Sequence, residues 1–229
     1  MATMTPTRTK RYSFEQFTAI RRYQPALDFS PDGSEIAYST NTSGQFNLWK
    51  QPSNGGYPKQ LTVYSDNAVR EIAWAPDGEQ ILFTADHHGD EFTRPYLIPA
   101  NGGKPEQIPG EPDVRYFLGG IESGSPNGRS FAFSGNDREP TDQDVLVYDT
   151  ETGETQRPLA GGAFYTPLAW SPDGEYLTVV EARSNTDTVV HLLAVKTREA
   201  RALLGKDDED NYIPLDWAAD GSGFWLLTD

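Results

Sequence analysis

Cysteine is absent from the 229 residues of the sequence, and this absence excludes disulfide bonds, thiolate catalysis and cysteine-ligated zinc sites. Long apolar runs are absent too, since no stretch approaches the roughly 20 residues that a membrane-spanning helix needs. The first 17 residues are polar and basic and lack the apolar core of a secretory signal. From these absences we expect a cytoplasmic protein.

Basic residues are scarce relative to acidic ones. The chain has 19 Lys and Arg against 34 Asp and Glu, which gives a formal net charge of −15. Such an acidic surface repels the phosphate backbone of nucleic acids and anionic lipid headgroups. We therefore expect neither nucleic acid nor a membrane surface as a partner, and the sequence predicts no cofactor.

What the sequence does contain is a segment that recurs five times. In each copy an aromatic-rich strand runs into an S-P-D-G-like turn and then into a second apolar strand. The Asp or Asn of the turn marks each copy, at Asp32, Asp77, Asn127, Asp173 and Asp220. Successive markers are 45, 50, 46 and 47 residues apart. A self-similar period of this length is typical of β-propeller blades.

Each copy has the alternation of a strand. Three residues before the marker, four copies carry a large aromatic side chain: Phe29, Trp74, Trp170 and Trp217. An aliphatic residue lies two positions earlier and therefore on the same face of the strand. A second turn divides each unit, so a complete copy predicts four strands joined by hairpins, as in a propeller blade. In the third copy Gly124 replaces the aromatic residue, and we expect a short or bulged inner strand there.

The repeats divide the chain into an N-terminal segment and an all-β domain. Residues 1–25 are predicted to form a basic tail and a helix over 13–22, because Ser13 and Gln16 have capping-box spacing ahead of an apolar stripe. Residues 26–229 are predicted to form an incomplete β-propeller with blades at about 26–66, 67–114, 115–163, 164–211 and 212–229. Only nine residues follow Asp220, so we expect four blades and half of a fifth, and hence a fragment of a larger protein.

These motifs resemble the N-terminal propeller of prolyl oligopeptidase-family (S9) serine peptidases, in particular the acylaminoacyl- and dipeptidyl-peptidase branches. The S-P-D-G turns, the NLW and YLI strands and the N-G-G turns carry the resemblance, which extends from about residue 12 to the end. TolB-type propellers share the same blade. The peptidase resemblance implies seven or eight blades followed by an α/β-hydrolase domain, which would be the partner of this chain. It also implies that the Ser-Asp-His triad lies in that later domain and that the propeller gates the access of peptide substrates.

The catalytic motif of an α/β-hydrolase is absent from the sequence. No serine has Gly at both the second position before it and the second position after it, as the G-x-S-x-G nucleophile turn requires. We therefore assign no catalytic residue and expect a non-catalytic part of a serine peptidase. A TolB-like scaffold that binds a protein partner is the alternative. A third hypothesis, a metal-dependent enzyme in the propeller channel, would need ligands on the inner strands, where only scattered Asp residues occur.

The candidate binding residues are Asp28 and Asp216. Both lie four positions before a marker, on the strand face opposite the aromatic residues, which we expect to look into a central channel. There they would contact a charged peptide end.

Other polar clusters are interpreted as structural. The pair His87 and His88 is expected to point to opposite faces of a polar loop, the acidic run 206–210 lacks the spacing of a calcium loop, and His191 lies in an apolar strand. We therefore predict no metal site.

Overall fold

The structure is a computed structural model that describes residues 13, 14, 16, 19–119 and 123–228. These residues form eighteen strands in five antiparallel sheets, which confirms the all-β class. In four of the sheets consecutive strands are hydrogen-bonded in chain order to give four strands each, and the fifth sheet has two strands. The number of blades in a complete ring and the domain limits at 1–25 and 26–229 stay predictions.

The strands follow the repeats. The first sheet comprises β1 (Tyr23–Phe29), β2 (Glu35–Thr40), β3 (Asn47–Pro52) and β4 (Lys59–Gln60). The second comprises β5 (Asn67–Trp74), β6 (Gln80–His87), β7 (Arg94–Pro99) and β8 (Glu106–Gln107). The third comprises β9 (Tyr116–Phe117), β10 (Ser130–Gly135), β11 (Asp144–Asp149) and β12 (Thr155–Leu159). The fourth comprises β13 (Phe164–Trp170), β14 (Tyr176–Ala182), β15 (Thr188–Ala194) and β16 (Glu199–Leu204), and the fifth β17 (Tyr212–Trp217) and β18 (Phe224–Thr228).

The helix predicted over 13–22 is not confirmed. Phe14 and Gln16 are helical, and the backbone N–H of Ser13 donates to Gln16 Oε1 at 2.9 Å, as in a capping box. Residues 15, 17 and 18 of the predicted helix lie outside the described residues, and so does the basic tail 1–12. Residues 19–22 are not helical, because a turn and irregular backbone lead there into β1.

The third sheet has the short inner strand that was predicted. Its regular part, β9, has two residues, and a single bridge from Gly124 to Phe131 continues the pairing. Glycine is required at this point by a close approach of the second sheet. A Cβ on Gly124 would lie 2.5 Å from Cδ of Pro76.

The hydrophobic core consists of three clusters, each between two neighbouring sheets. Trp74 packs on residues of the first sheet such as Leu48, whereas its neighbour Ala73 packs on the third sheet near Phe131. Trp170 packs on the third sheet in the same way, and its indole Nε1–H donates to the Ser123 carbonyl oxygen at 3.1 Å. In the second and fourth repeats the aromatic residue therefore packs on the preceding sheet, whereas Phe29 of the first repeat is exposed.

The hydroxyl of the first turn residue organises the S-P-D-G turn. Ser30 Oγ donates to Asp32 Oδ1 at 2.6 Å and accepts the backbone N–H of Glu35 at 2.9 Å, while the N–H of Ser34 donates to Asp32 Oδ1 at 3.0 Å. The bonds that Asp32 accepts, led by the one from the Ser30 hydroxyl and followed by those from Ser34, lower the pKa of Asp32 to about 2. Gly33 has a φ of 68°, which favours glycine. The turn itself thus supplies the hydrogen-bond donors that the Asp32 carboxylate needs.

Candidate functional site

Asp28, the first candidate binding residue, lies at the seam between two sheets. Its Oδ2 accepts the backbone N–H of Trp74 on β5 at 2.6 Å, and its Oδ1 accepts the N–H of Phe29 at 2.8 Å. Burial raises the pKa of the Asp28 carboxyl, and these two hydrogen bonds oppose the rise. The carboxylate therefore joins the inner strands of the first and second sheets.

Asp28 also lines a cavity of about 400 Å³ near the S-P-D-G-like turns. We call this end of the sheets, which carries the five turns, the turn end, and the opposite end the far end. Trp74 and Trp170 line the same cavity together with the turn prolines Pro31 and Pro76. A group that entered here would meet one half-buried carboxylate among apolar side chains. A contact between Asp28 and a peptide end stays a prediction.

Asp216, the second candidate, is exposed on β17 of the fifth sheet. Its Oδ1 accepts the N–H of Trp217 at 2.7 Å, which repeats the local geometry of Asp28. Within the described residues no further sheet follows to donate to its other oxygen. The cavity that Asp28 lines does not include Asp216, so the structure does not bring the two candidates into one site.

The expectation that this face of the inner strands looks into a channel is wrong for the second to fourth repeats. Ala73, Ser123 and Ala169 occupy the position of Asp28 in those repeats and are 1%, 2% and 1% exposed. The reason is geometric, because the stacked sheets cover both faces of the strand at these three positions.

The histidine pair lies at the end of β6, in the loop that the sequence predicts. The two rings do not point to opposite faces, since their centroids are 4.1 Å apart. His88 has a φ of 52°, so the chain is not extended at this point. His87 Nδ1 lies 2.6 Å from Asn67 Oδ1, whereas His88 Nδ1 lies 3.8 Å from Asp66 Oδ1.

The remaining polar candidates have partners within their own sheets or turns. His191 Nε2 lies 2.8 Å from Glu181 Oε2 on the neighbouring strand. Ser125 begins the turn of the third repeat and is 3% exposed, and its hydroxyl donates to Asn127 Oδ1 and accepts the N–H of Ser130. The Ser125 hydroxyl therefore makes the same two kinds of hydrogen bond in its turn as the Ser30 hydroxyl does.

A cluster of charged side chains lies at the far end, between the inner strands of the second and third sheets. It surrounds a cavity of about 310 Å³ whose lining includes Arg70, Glu71, Asp86, Glu91, Arg115 and Phe117. The pairing of β5 with β6 shifts register between Val69 and Glu71, which leaves Arg70 in a β-bulge. Bulges re-aim side chains, and here the bulge places two consecutive charged residues on one cavity.

Hydrogen bonds fix the acidic groups of this cluster. Arg70 donates to Asp86 Oδ2 from Nη2 at 2.6 Å and from Nε at 3.1 Å. Glu71 Oε2 accepts the hydroxyl of Thr84 at 2.9 Å and the backbone N–H of Leu118 at 3.3 Å. Burial raises the pKa of the Glu71 carboxyl, and these two bonds and the charge of Arg115 oppose the rise.

This far-end cluster was not predicted from the sequence, although one signal for it is present. The strand NAVREIAW carries two adjacent charged residues in an otherwise largely apolar segment. The packing of a buried strand does not favour charged side chains, so the pair indicates another role. The contributions of Asp86, Arg115 and Phe117 have no comparable signal. They come from separate strands or loops and meet only through the stacking of the sheets.

Two further kinds of site concern the part of the chain that the structure describes. No group of three His, Asp or Glu side chains there is arranged to hold a metal ion. No helix in that part has the length and apolarity needed to cross a bilayer.

Sequence comparison finds peptidases. No family model matches the chain. Dipeptidyl peptidase family member 6 of Caenorhabditis elegans is 25% identical over 147 residues, which cover 61% of this chain and 20% of that protein. The uncharacterized peptidase YuxL of Bacillus subtilis (strain 168) is 24% identical over 201 residues, which cover 69% of this chain and 29% of that protein. The chain thus spans less than a third of the length of these curated relatives.

Structural comparison shows the fold. A putative TolB from Agrobacterium tumefaciens has a TM-score of 0.65 at 17% identity, over 90% of this chain and 75% of the other. A prolyl endopeptidase has a TM-score of 0.66 at 16% identity, over 90% of this chain and 33% of the other. The resemblance that the repeats indicate, to the propellers of S9-family peptidases and of TolB, is therefore confirmed.

Proposed function

We propose that this chain is the propeller portion of a serine peptidase and that it gates the access of peptides to a catalytic α/β-hydrolase domain. The observation that carries the proposal is the pair of curated relatives, both peptidases, of which the chain covers 20% and 29%. The absence of a G-x-S-x-G motif agrees with a part that does not itself hold the nucleophile. The partner is then the hydrolase domain, and the substrates are peptides. We keep the cytoplasm as the proposed location.

The first experiment concerns the partner. We expect the full-length gene product to contain a G-x-S-x-G segment and to cleave a chromogenic peptide, and the 229-residue chain alone to leave that peptide intact. A full-length product without such a segment would contradict the proposal, and so would cleavage by the isolated chain.

The second experiment concerns gating. With the full-length product, kcat/KM is measured for peptides of increasing length and for a folded protein that contains the same cleavable bond. We expect efficient cleavage of the short peptides and at least a tenfold loss for the folded protein, because a propeller entrance excludes bulky chains. Equal rates for all substrates would show that the propeller does not filter them.

A TolB-like binding scaffold is the second candidate, and one observation favours it. The chain covers 75% of the putative TolB but 33% of the prolyl endopeptidase. The two candidates differ in what accompanies the propeller. A full-length product that has no hydrolase domain and that retains a protein partner on an affinity column would favour the scaffold.

A further inference from the structure

Asparagine is followed directly by glycine at three places in the chain: Asn54-Gly55, Asn101-Gly102 and Asn127-Gly128. In such a pair the backbone nitrogen of the glycine can attack the side-chain carbonyl carbon of the asparagine, because glycine has no side chain that hinders the approach. The dipeptide alone does not distinguish the three places. The structure does, because the surroundings of the three pairs differ.

All three pairs occupy the same place in a turn. In each, the glycine N–H donates to the carbonyl oxygen of the residue three positions earlier: Gly55 to Pro52 at 3.0 Å, Gly102 to Pro99 at 2.8 Å, and Gly128 to Ser125 at 2.8 Å. This is the hydrogen bond that closes a four-residue β-turn, of which the asparagine is the third residue. The attacking nitrogen is therefore held alike in all three pairs. Differences in reactivity must come from the asparagine side chain and from what covers the glycine.

The side chain of Asn127 is fixed in its turn. Its Oδ1 accepts the hydroxyl of Ser125 at 2.7 Å and the backbone N–H of Arg129 at 3.1 Å. Gly128 is buried against the preceding turn, since a Cβ on it would lie 2.6 Å from Asp77 Oδ2. The amide group must give up both hydrogen bonds before it can turn toward the glycine nitrogen, which slows the attack by at least about tenfold.

The surroundings of Asn54 are open by comparison. Its side chain is exposed and forms no hydrogen bond with the described residues, and a Cβ on Gly55 would meet no atom within 4 Å. The pair Asn101-Gly102 is intermediate. Lys59 Nζ donates to the Asn101 carbonyl oxygen at 2.5 Å and lies 3.4 Å from the position of a Cβ on Gly102, so a side chain of the first sheet holds this turn.

We propose that Asn54 is a site of spontaneous deamidation and that the fold protects Asn127. The Gly55 nitrogen forms a bond to Cγ of Asn54 and gives up its proton, while the bond from Cγ to the side-chain nitrogen breaks and ammonia leaves with that proton. Water then opens the cyclic imide at either carbonyl group and gives aspartate or isoaspartate. The product carries an additional carboxylate on a chain whose net charge is already −15. In isoaspartate an additional carbon also lengthens the backbone between β3 and β4.

The proposal is tested by incubation of the 229-residue chain at mildly alkaline pH, followed by proteolysis, liquid chromatography and mass spectrometry of the peptides. We expect Asn54 to react first, Asn101 more slowly, and Asn127 at least about tenfold more slowly than Asn54. In the chain unfolded by urea the three rates should become similar, because the protection depends on the folded turns. Equal rates in the folded chain would overturn the proposal, and so would the same order of rates in urea.

Two variants connect the protection to the hydroxyl of the third turn. Ser125→Ala removes a donor to Asn127 and should raise the rate at Asn127 severalfold without a change at Asn54. Ser171→Ala removes the corresponding hydroxyl from the turn of the fourth repeat and is the matched control, which should change neither rate. An unchanged rate at Asn127 in Ser125→Ala, or an equal rise in both variants, would contradict the assignment. This readout needs no peptidase activity, so it is independent of the proposed function.

Discussion

The carboxylates of the S-P-D-G turns and those of the far-end cavity are held in opposite ways. At the turn end, Asp32 and Asp173 accept hydrogen bonds from a serine hydroxyl and from backbone N–H groups of their own turn, and the pKa of each carboxyl is lowered. At the far end, one buried oxygen of Asp86 accepts no hydrogen bond from the described residues, and burial raises the pKa of Glu71. The turn carboxylates stabilise the fold locally. The far-end carboxylates are placed at a cost in stability, which is typical of a site that binds a ligand.

The largest expected effect concerns the ion pair of the far end. Arg70→Met leaves the Asp86 carboxylate, which is 1% exposed, without its partner, and we expect a loss of about 3 kcal/mol in the free energy of unfolding. The matched control is Arg129→Met at the turn end, where the pair with Glu151 is 61% and 58% exposed. Its expected loss is below about 0.5 kcal/mol. Urea unfolding followed by tryptophan fluorescence measures both, and equal losses would remove the contrast between the two ends.

The second effect concerns the seam between the first two sheets. Asp28→Ala removes the acceptor of the Trp74 N–H, and we expect a loss of about 2 kcal/mol because that donor is then left without a partner. Asp216→Ala removes the same local bond, to Trp217, but no bond to another sheet in the described part of the chain. We expect it to cost about 0.5 kcal/mol. If Asp216→Ala costs as much as Asp28→Ala, the seam bond is not the source of the effect.

The sequence predicted what depends on local chemistry and periodicity. The S-P-D-G turns, the alternation on the strands and the short inner strand around Gly124 all follow from turn propensities and face patterns, and the structure confirms them. The surroundings of Asp28 could not be predicted, because its partner Trp74 is 46 residues away and the contact depends on how two sheets stack. The predicted orientation of the His87 and His88 rings was wrong for a related reason. A positive φ at a non-glycine residue, such as His88, cannot be recognised from the sequence.

The third effect tests the hydroxyl of the turn. Ser171→Ala removes the donor to Asp173 Oδ1 and the acceptor of the Tyr176 N–H, and we expect a loss of about 1 kcal/mol. The second repeat offers the reverse change, because Ala75 stands where the other turn has serine. Ala75→Ser should be neutral or stabilise by about 0.5 kcal/mol, since Asp77 is in place to accept the new hydroxyl. Thermal unfolding of the two variants measures this, and a loss of equal size in both would show that the hydroxyl is not what stabilises the turn.

The smallest expected effect is a difference in pH dependence between the two ends. Asp32 has a pKa of about 2 in the folded chain, so its contribution to stability is present above its ordinary pKa near 3.8 and is lost as the pH falls toward 2. Glu71 has a raised pKa, so the folded chain binds its proton more tightly than the unfolded chain does, and stability falls as the pH rises from about 4.5 through that raised value. Asp32→Asn should therefore flatten the acid limb of the curve of urea midpoint against pH, and Glu71→Gln should flatten the decline above pH 4.5. If both substitutions change the same limb, the two ends do not differ in the way their carboxylates are held.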